Sequence, residues 1–375
     1  MQRSWGTLVV QAGQSRSELM VLAIAVSGLR SGTDECRSSP HPPDGSKDDP
    51  PVGGSTMSVP TGRTHFIRTA DGTSLAVSEV GSRTAPVTVI FAHGFCLHMD
   101  AWAPQRAYLA EVWWGRARLV FFDHRGHGRS GGADVGSYTI VQLGRDLDVV
   151  IRTVAPKGPI VLVGHSMGGM AVMSYVAHHQ EAAAAQIIGV GLISTAVDNV
   201  AGAGIGRALR TPAVTLLRTA SAHAPGLVGR SWDLSRRILS PVVGATCPLA
   251  PSASVRAAAT SYGMVHATPI ATVAAFLRDP RIYDASPALD VLARVPASII
   301  CGTRDRVTPI GHSQRLAAAL PLAELIPVSG ARHMVGLERP AVVSESLDRL
   351  LGRAVGRREQ ATTRRSKYTL VGREI

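Results

Sequence analysis

Gly164-His165-Ser166-Met167-Gly168-Gly169 stands between two segments of different periodicity. Before it, Pro159-Ile160-Val161-Leu162-Val163 carries no charge and is rich in β-branched residues, the pattern of a central strand buried on both faces of a parallel sheet. After it, Met170, Val172, Met173, Tyr175 and Val176 recur at helical spacing. Ser166 therefore falls on a strand-to-helix turn. Gly164 and Gly168 lack side chains where strand and helix come closest, and the bend leaves the Ser166 hydroxyl exposed, as a nucleophile would need to be. A second Gly-x-Ser-x-Gly, Gly128-Arg129-Ser130-Gly131-Gly132, follows a polar turn and runs into Ala133-Asp134-Val135-Gly136, with neither strand before nor helix after. Context selects Ser166.

Composition limits the alternatives. The chain has 375 residues, enough for one large α/β domain with an insertion. Its formal net charge of +12 would suit nucleic acid or an anionic surface. However, Lys47, Lys157 and Lys367 are the only lysines among 39 basic residues, and no basic run is interleaved with aromatics for base stacking, so no nucleic-acid partner is expected. Cys36, Cys96, Cys247 and Cys301 lie far apart without CxxC or histidine spacing, which predicts neither a metal site nor a disulfide framework. Leu19 to Val26 is too short to span a bilayer. It reads as a weak signal segment at best, since Glu18 abuts it, although Ala25-Val26-Ser27 resembles a cleavage site. A cytoplasmic location is expected, with secretion or peripheral membrane contact as alternatives. Residues 1–60 read as a disordered extension dominated by Ser, Gly, Pro and Asp near its end. Met57 precedes the first patterned segment, so residues 1–56 are expected to lie upstream of the true start.

Working outward, Thr64 to Arg68 and Ser74 to Ser78 alternate in polarity around Asp71-Gly72, a hairpin pattern. Val87 to Phe91 is a buried strand that ends in His93-Gly94-Phe95-Cys96, and Leu119 to Phe122 is another, followed by Asp123-His124-Arg125-Gly126-His127-Gly128-Arg129-Ser130. Asp123 and Arg125 are expected to pair and brace that glycine-rich turn. Tyr138 to Val154 reads as an amphipathic helix, with Ile140, Leu143, Leu147, Val150 and Ile151 on one face. Ile187 to Ile193, Ala297 to Cys301 and Leu325 to Val328 read as further strands.

These motifs resemble the α/β-hydrolase family over roughly residues 61–352. The fold implied is a mostly parallel central sheet with helices on both faces and an inserted helical cap. The core would be 61–197 and 286–352, the cap 198–285, and 353–375 a basic flexible tail. The resemblance makes the backbone N–H groups of Phe95 and Met167 the oxyanion-hole donors. It also places an acid and then a histidine after the cap. Gly302-Thr303-Arg304-Asp305-Arg306-Val307-Thr308-Pro309 resembles the acid loop, giving Asp305, with Asp198 the alternative. Gly330-Ala331-Arg332-His333-Met334 resembles the histidine loop, giving His333. Glu338 and Pro340 read as helix-start residues. His93, Gly94, His165, Trp232, Met264 and Phe276 are candidates for lining a pocket, alongside cap residues Leu216, Leu217, Leu234 and Val273.

The implied chemistry is acyl transfer to water through an acyl-serine, with no metal or organic cofactor. A carboxylic ester of a small molecule with an apolar acyl group is the first expectation. A carbon–carbon bond hydrolase of the meta-cleavage type, a thioesterase or an amidase would use the same triad. A lipase working at an anionic membrane surface through cap and basic tail is a further alternative. A non-catalytic binding module would be expected to have lost one of the three residues, and none is missing.

Overall fold

The alternation of apolar strands and amphipathic helices from Arg63 onward builds one mixed sheet with helices on both faces. This is seen in a computed structural model that describes residues 62–198, 249–250, 253–276 and 283–371. The expected extension at 1–60 lies outside the described residues, as does most of the expected cap, with Leu216, Leu217, Trp232 and Leu234. In chain order the elements are β1 (Arg63–Arg68), β2 (Ser74–Val80), β3 (Val87–Ala92), α1 (Ala103–Val112), β4 (Ala117–Phe122), α2 (Ile140–Val154), β5 (Ile160–His165), α3 (Met167–His178), α4 (Gln180–Gln186) and β6 (Ile187–Ile193). They continue with α5 (Val255–Ala267), α6 (Ile270–Phe276), α7 (Leu289–Leu292), β7 (Ala297–Gly302), α8 (Gly311–Ala319), β8 (Ala323–Val328), α9 (Val335–Glu338) and α10 (Pro340–Val371). Among the described residues no helix is long and apolar enough to cross a membrane.

The strand order is β1-β2-β4-β3-β5-β6-β7-β8. The hairpin β1–β2 is antiparallel and turns through Gly72 at φ 84°, and β2 joins β4 antiparallel. All remaining pairs are parallel. The order reverses at β3, which has β4 on one side and β5 on the other. In open α/β sheets such a switch point opens a crevice at the carboxyl ends of the strands. The His93 loop and the Ser166 elbow leave the sheet there side by side, since Ala92 pairs with Gly164.

Period-2 alternation explains the two layers of core. On β3, Val89 and Phe91 face one side while Ile90 and Ala92 face the other; on β5, Val161 and Val163 oppose Ile160 and Leu162. One side packs against Leu147, Val150 and Ile151 of α2 and Val172 and Val176 of α3. The other packs against Leu109 of α1 and Leu347, Leu350 and Leu351 of α10. Each fully buried aliphatic side chain contributes about 1.5–3 kcal/mol. Helix α2 starts at Ile140 rather than Tyr138 because Thr139 is extended at φ −130° and its hydroxyl caps the Gln142 N–H.

Two expectations are corrected. Asp123 and Arg125 do not pair. Asp123 instead accepts the Met99 and Arg129 N–H groups, at 2.6 and 2.8 Å, while the longer Arg125 side chain leaves the turn. It forms a two-pronged pair with Asp146 of α2, both bonds 2.6 Å, and reaches Asp71 and Ser137 as well. The second correction concerns the tail, because α10 runs without a break from Pro340 to Val371. Ala354 is in the core, and Arg353 donates to the Ala297 and Leu322 carbonyls. Arg, Glu, Gln and Ala are all good helix formers, so a charged sequence that looks like a solvated tail continues the helix.

Both members of the Arg125–Asp146 pair are fully buried. Asp146→Ala should lower stability by about 3 kcal/mol in urea unfolding, near the lower end for breaking a buried pair because Asp71 and Ser137 still hold the guanidinium. An unchanged urea midpoint would refute this role.

Candidate active site

Ser166 sits at φ 53° and ψ −118°, a left-handed conformation disfavoured for a residue with a side chain. Neighbouring strands hold it there. Its N–H donates to the Ile193 carbonyl at 2.9 Å, and its own carbonyl accepts from the Thr195 hydroxyl at 2.8 Å. The helix that follows approaches β3 so closely that a Cβ at Gly168 would land 2.1 Å from the Ala92 carbonyl oxygen. Glycine at 168 is thus a condition of the elbow.

The structure brings Ser166, His333 and Asp305 together from the ends of β5, β8 and β7. Ser166 Oγ lies 2.9 Å from His333 Nε2, and His333 Nδ1 lies 2.9 Å from Asp305 Oδ2. Since a carboxylate only accepts, His333 carries its proton on Nδ1 and turns the lone pair of Nε2 toward the serine hydroxyl. Asp305 is oriented in turn by the Val307 and Thr308 N–H groups on Oδ1, at 2.8 and 3.0 Å, and by the Thr308 hydroxyl on Oδ2 at 2.9 Å. Burial acts to raise the Asp305 pKa, but the adjacent His333 and these hydrogen bonds outweigh it and hold the carboxyl below its ordinary value. Asp198, the alternative acid, instead pairs with Arg315 at 3.2 Å and bridges Asp284.

The loop after β3 is built around two histidines. His93 Nδ1–H donates to the Gly94 carbonyl at 2.8 Å while Nε2 accepts the His124 N–H at 2.9 Å. His127 Nδ1–H donates to the Arg125 carbonyl at 3.0 Å, and Nε2 accepts the Cys96 N–H at 3.2 Å. Cys96 is itself left-handed, at φ 58°. The turn carrying the Phe95 N–H is therefore fixed at both ends. Met167 occupies the first position of α3, where an N–H has no acceptor within its own helix.

Of the pocket candidates, His93 and His165 line a mostly apolar cavity with Leu97, Trp102, Met334 and Leu337. Gly94 lies against His165, whose Nδ1 would be 2.7 Å from a Cβ at that position. Met264 of α5 packs with Leu97, Ala101 and Met334. Phe276 of α6 meets Phe95, with ring centres 5.7 Å apart, and Thr272 of the same helix donates to the Gly126 carbonyl at 3.2 Å. Val273 of α6 is buried. Trp232 lies outside the described residues. Sequence reasoning missed Thr308 and the bond from His165 Nε2–H to the His333 carbonyl, 3.0 Å long. The adjacency of Thr308 to the Asp305 loop was its available signal, and the His165 contact, 168 residues apart, had none.

The alpha/beta hydrolase fold family matches residues 87–340, and this chain belongs to that family. An AB hydrolase superfamily protein of Bacillus subtilis, YisY, is 25% identical over 270 residues, covering 72% of this chain and 92% of that protein. A non-heme haloperoxidase of Rhodococcus erythropolis is 32% identical over 129 residues, covering 34% of this chain and 44% of the relative. The bifunctional esterase/perhydrolase DCH of Acinetobacter calcoaceticus is 35% identical over 118 residues, covering 30% and 39%. These last two matches span less than half the length of each relative. A thermophilic esterase from Thermogutta terrifontis superposes with a TM-score of 0.57 at 20% identity, over 78% of this chain and 99% of that one, and so shares the fold.

Burial pushes the pKa values of His93, His127 and His165 down to about 3, and that of His124 well below its ordinary value. These rings stay neutral in the folded chain. In the unfolded chain they take up protons below about pH 6.5. Their depressed pKa values thus favour the folded state fully above that pH, and the advantage shrinks as pH falls toward 3. Urea-unfolding free energy is predicted to fall as pH is lowered from about 6.5 to 5, more steeply toward the lower end as the unfolded rings become fully protonated. A flat profile over that range would contradict the neutral-histidine arrangement.

Proposed function

We propose that this chain is a serine hydrolase that cleaves carboxylic esters. The hydrogen-bonded line from Ser166 Oγ through His333 to Asp305 carries the reading, with both contacts at 2.9 Å. In the first step Ser166 Oγ attacks the ester carbonyl carbon as its proton passes to His333 Nε2. The carbonyl π pair moves to oxygen, and the resulting oxyanion is met by the Phe95 and Met167 N–H groups. Collapse expels the alcohol, which takes the proton from His333 and leaves an acyl-serine. Water then repeats the sequence, releasing the acid and restoring Ser166. Asp305 stabilises the imidazolium in both halves and keeps the ring in its working tautomer. The preference for esters is supported by the partial likeness to a bifunctional esterase/perhydrolase.

A second fate of the same acyl-serine is favoured by the partial matches to an esterase/perhydrolase and a haloperoxidase. Hydrogen peroxide in place of water would attack the acyl carbon and leave as a peracid, with Ser166 regenerated and no net change in oxidation state at carbon.

The decisive experiment is labelling by a fluorophosphonate together with hydrolysis of p-nitrophenyl esters graded by acyl length. Ser166→Ala should abolish labelling and lower kcat on the order of 10⁴–10⁶-fold. Wild-type protein that neither labels nor turns over any ester of the series would overturn the assignment. Peracid formed from added peroxide and the same acyl donor would establish the second fate.

A further inference from the structure

His333 stands in the loop between β8 and α9, and contacts outside the triad set its backbone. The Glu338 side chain is buried, with the residue 5% exposed. Its Oε2 accepts the Arg332 N–H at 2.9 Å and its Oε1 accepts the Met334 N–H at 3.1 Å. These donors belong to the 331–332 and 333–334 peptides, so one carboxylate holds the peptide that follows the histidine Cα and the one a residue before it. The His333 carbonyl is held separately by His165. Glu338 Oε2 also accepts the Ala250 N–H at 3.2 Å, and Arg332 Nη1 donates to the Leu249 carbonyl at 3.0 Å. Leu249 packs against the cluster of Leu97, Ala101, Met264 and Met334. Residues 249–250, close before α5, are thus clasped to the histidine loop from both sides.

The chemistry of the group matters. Three backbone donors converge on one side chain, and a carboxylate offers two oxygens and no hydrogen to oppose them. Glutamine has a single acceptor oxygen, and its amide hydrogens would face an N–H. Ionised acceptors also form the stronger bonds. A helix-start role, the expectation from sequence, needs none of this convergence.

We propose that Glu338 is a positioning residue for the base. It fixes the backbone of His333 so that Nε2 meets Ser166 Oγ, and it makes that alignment depend on residues 249–250 being docked. The proposal rests on the reading of Ser166 and His333 as nucleophile and base.

The test uses the full chain with Glu338→Gln, Glu338→Ala, Arg332→Ala and His333→Ala. The readouts are kcat and KM on a p-nitrophenyl ester and peptide-resolved hydrogen exchange. Because a misplacement of about 1 Å costs about a hundredfold, Glu338→Ala should lower kcat about a hundredfold and Glu338→Gln about tenfold, with KM within about twofold. Exchange should quicken at residues 332–334 and 250 while β5 and α3 keep their protection, which a general loss of stability would not produce. Arg332→Ala leaves the Glu338 bonds in place and should quicken exchange at 249–250. Unchanged exchange there overturns the coupling to that segment. Where Glu338→Ala does not fold, Glu338→Gln decides, and wild-type kcat in that variant overturns the proposal. If His333→Ala keeps wild-type turnover, the base assignment itself fails. If it is inactive while Glu338→Gln is normal, only the role of Glu338 fails.

Discussion

The backbone of Ser166 is the constraint from which the rest of the site follows. A left-handed conformation at a residue with a side chain costs on the order of 1–3 kcal/mol and persists only where surrounding structure over-determines it. Here the sheet does so. Strand β6 takes the Ser166 N–H, Thr195 takes its carbonyl oxygen, and α3 is pressed against the Ala92 carbonyl with only glycine at the contact. Turning the chain so sharply puts the hydroxyl above the carboxyl ends of the strands. The same turn starts α3, so the Met167 N–H faces the hydroxyl's surroundings unclaimed by its own helix. The proposed nucleophile and oxyanion donor thus come from one bend.

Histidines do several kinds of work around that bend, and burial with partner chemistry separates them. His93 and His127 each donate to a backbone carbonyl and accept a backbone N–H, which uses both ring nitrogens and leaves nothing for a substrate. His165 gives its Nε2 proton to the His333 carbonyl. Burial disfavours the charged form of all three. His333 alone among them joins a carboxylate to a hydroxyl, the pairing in which a charged imidazole has a stabilising partner at the moment it forms. A single residue type serves as scaffold and, in the proposed reaction, as base because the partners differ.

What the sequence made legible was local. The elbow, the hairpin at Gly72 and the buried strands each announce themselves within about ten residues, because turn chemistry and periodicity are short-range properties, whereas Asp305 and His333 were singled out by resemblance to the family. Partners chosen by tertiary packing were not legible. Asp123 and Arg125 are neighbours in a charged motif, yet the arginine's partner is Asp146, brought up by a helix 21 residues further on. Glu338 reads as a helix-start residue until the chain is folded and three N–H groups meet it. The end of α10 misled for a different reason. Charge density suggested a solvated, irregular tail, and residues 357–361 are exposed, yet the segment continues a helix already nucleated by Leu347, Leu350 and Leu351 in the core.

The division between the sheet and the segments around it bears on how the proposed site is held together. Ser166, Asp305 and His333 leave the ends of three parallel strands of one sheet, and the histidine loop beyond β8 is held in addition by Glu338. The lining comes from elsewhere: Leu97 and Trp102 from the connection after β3, Met334 and Leu337 from the loop and short helix after β8, with Met264 of α5 packed behind them. Leu97, Trp102 and Met334 are buried, and Trp102 packs on Phe91 of β3, so truncating any of them is a core substitution that costs stability. The lining meets the histidine loop at Met334, which both lines the cavity and donates its N–H to Glu338. A side-chain change there suits the proposed alignment of His333 only so far as the Met334 N–H stays where the Glu338 carboxylate holds it.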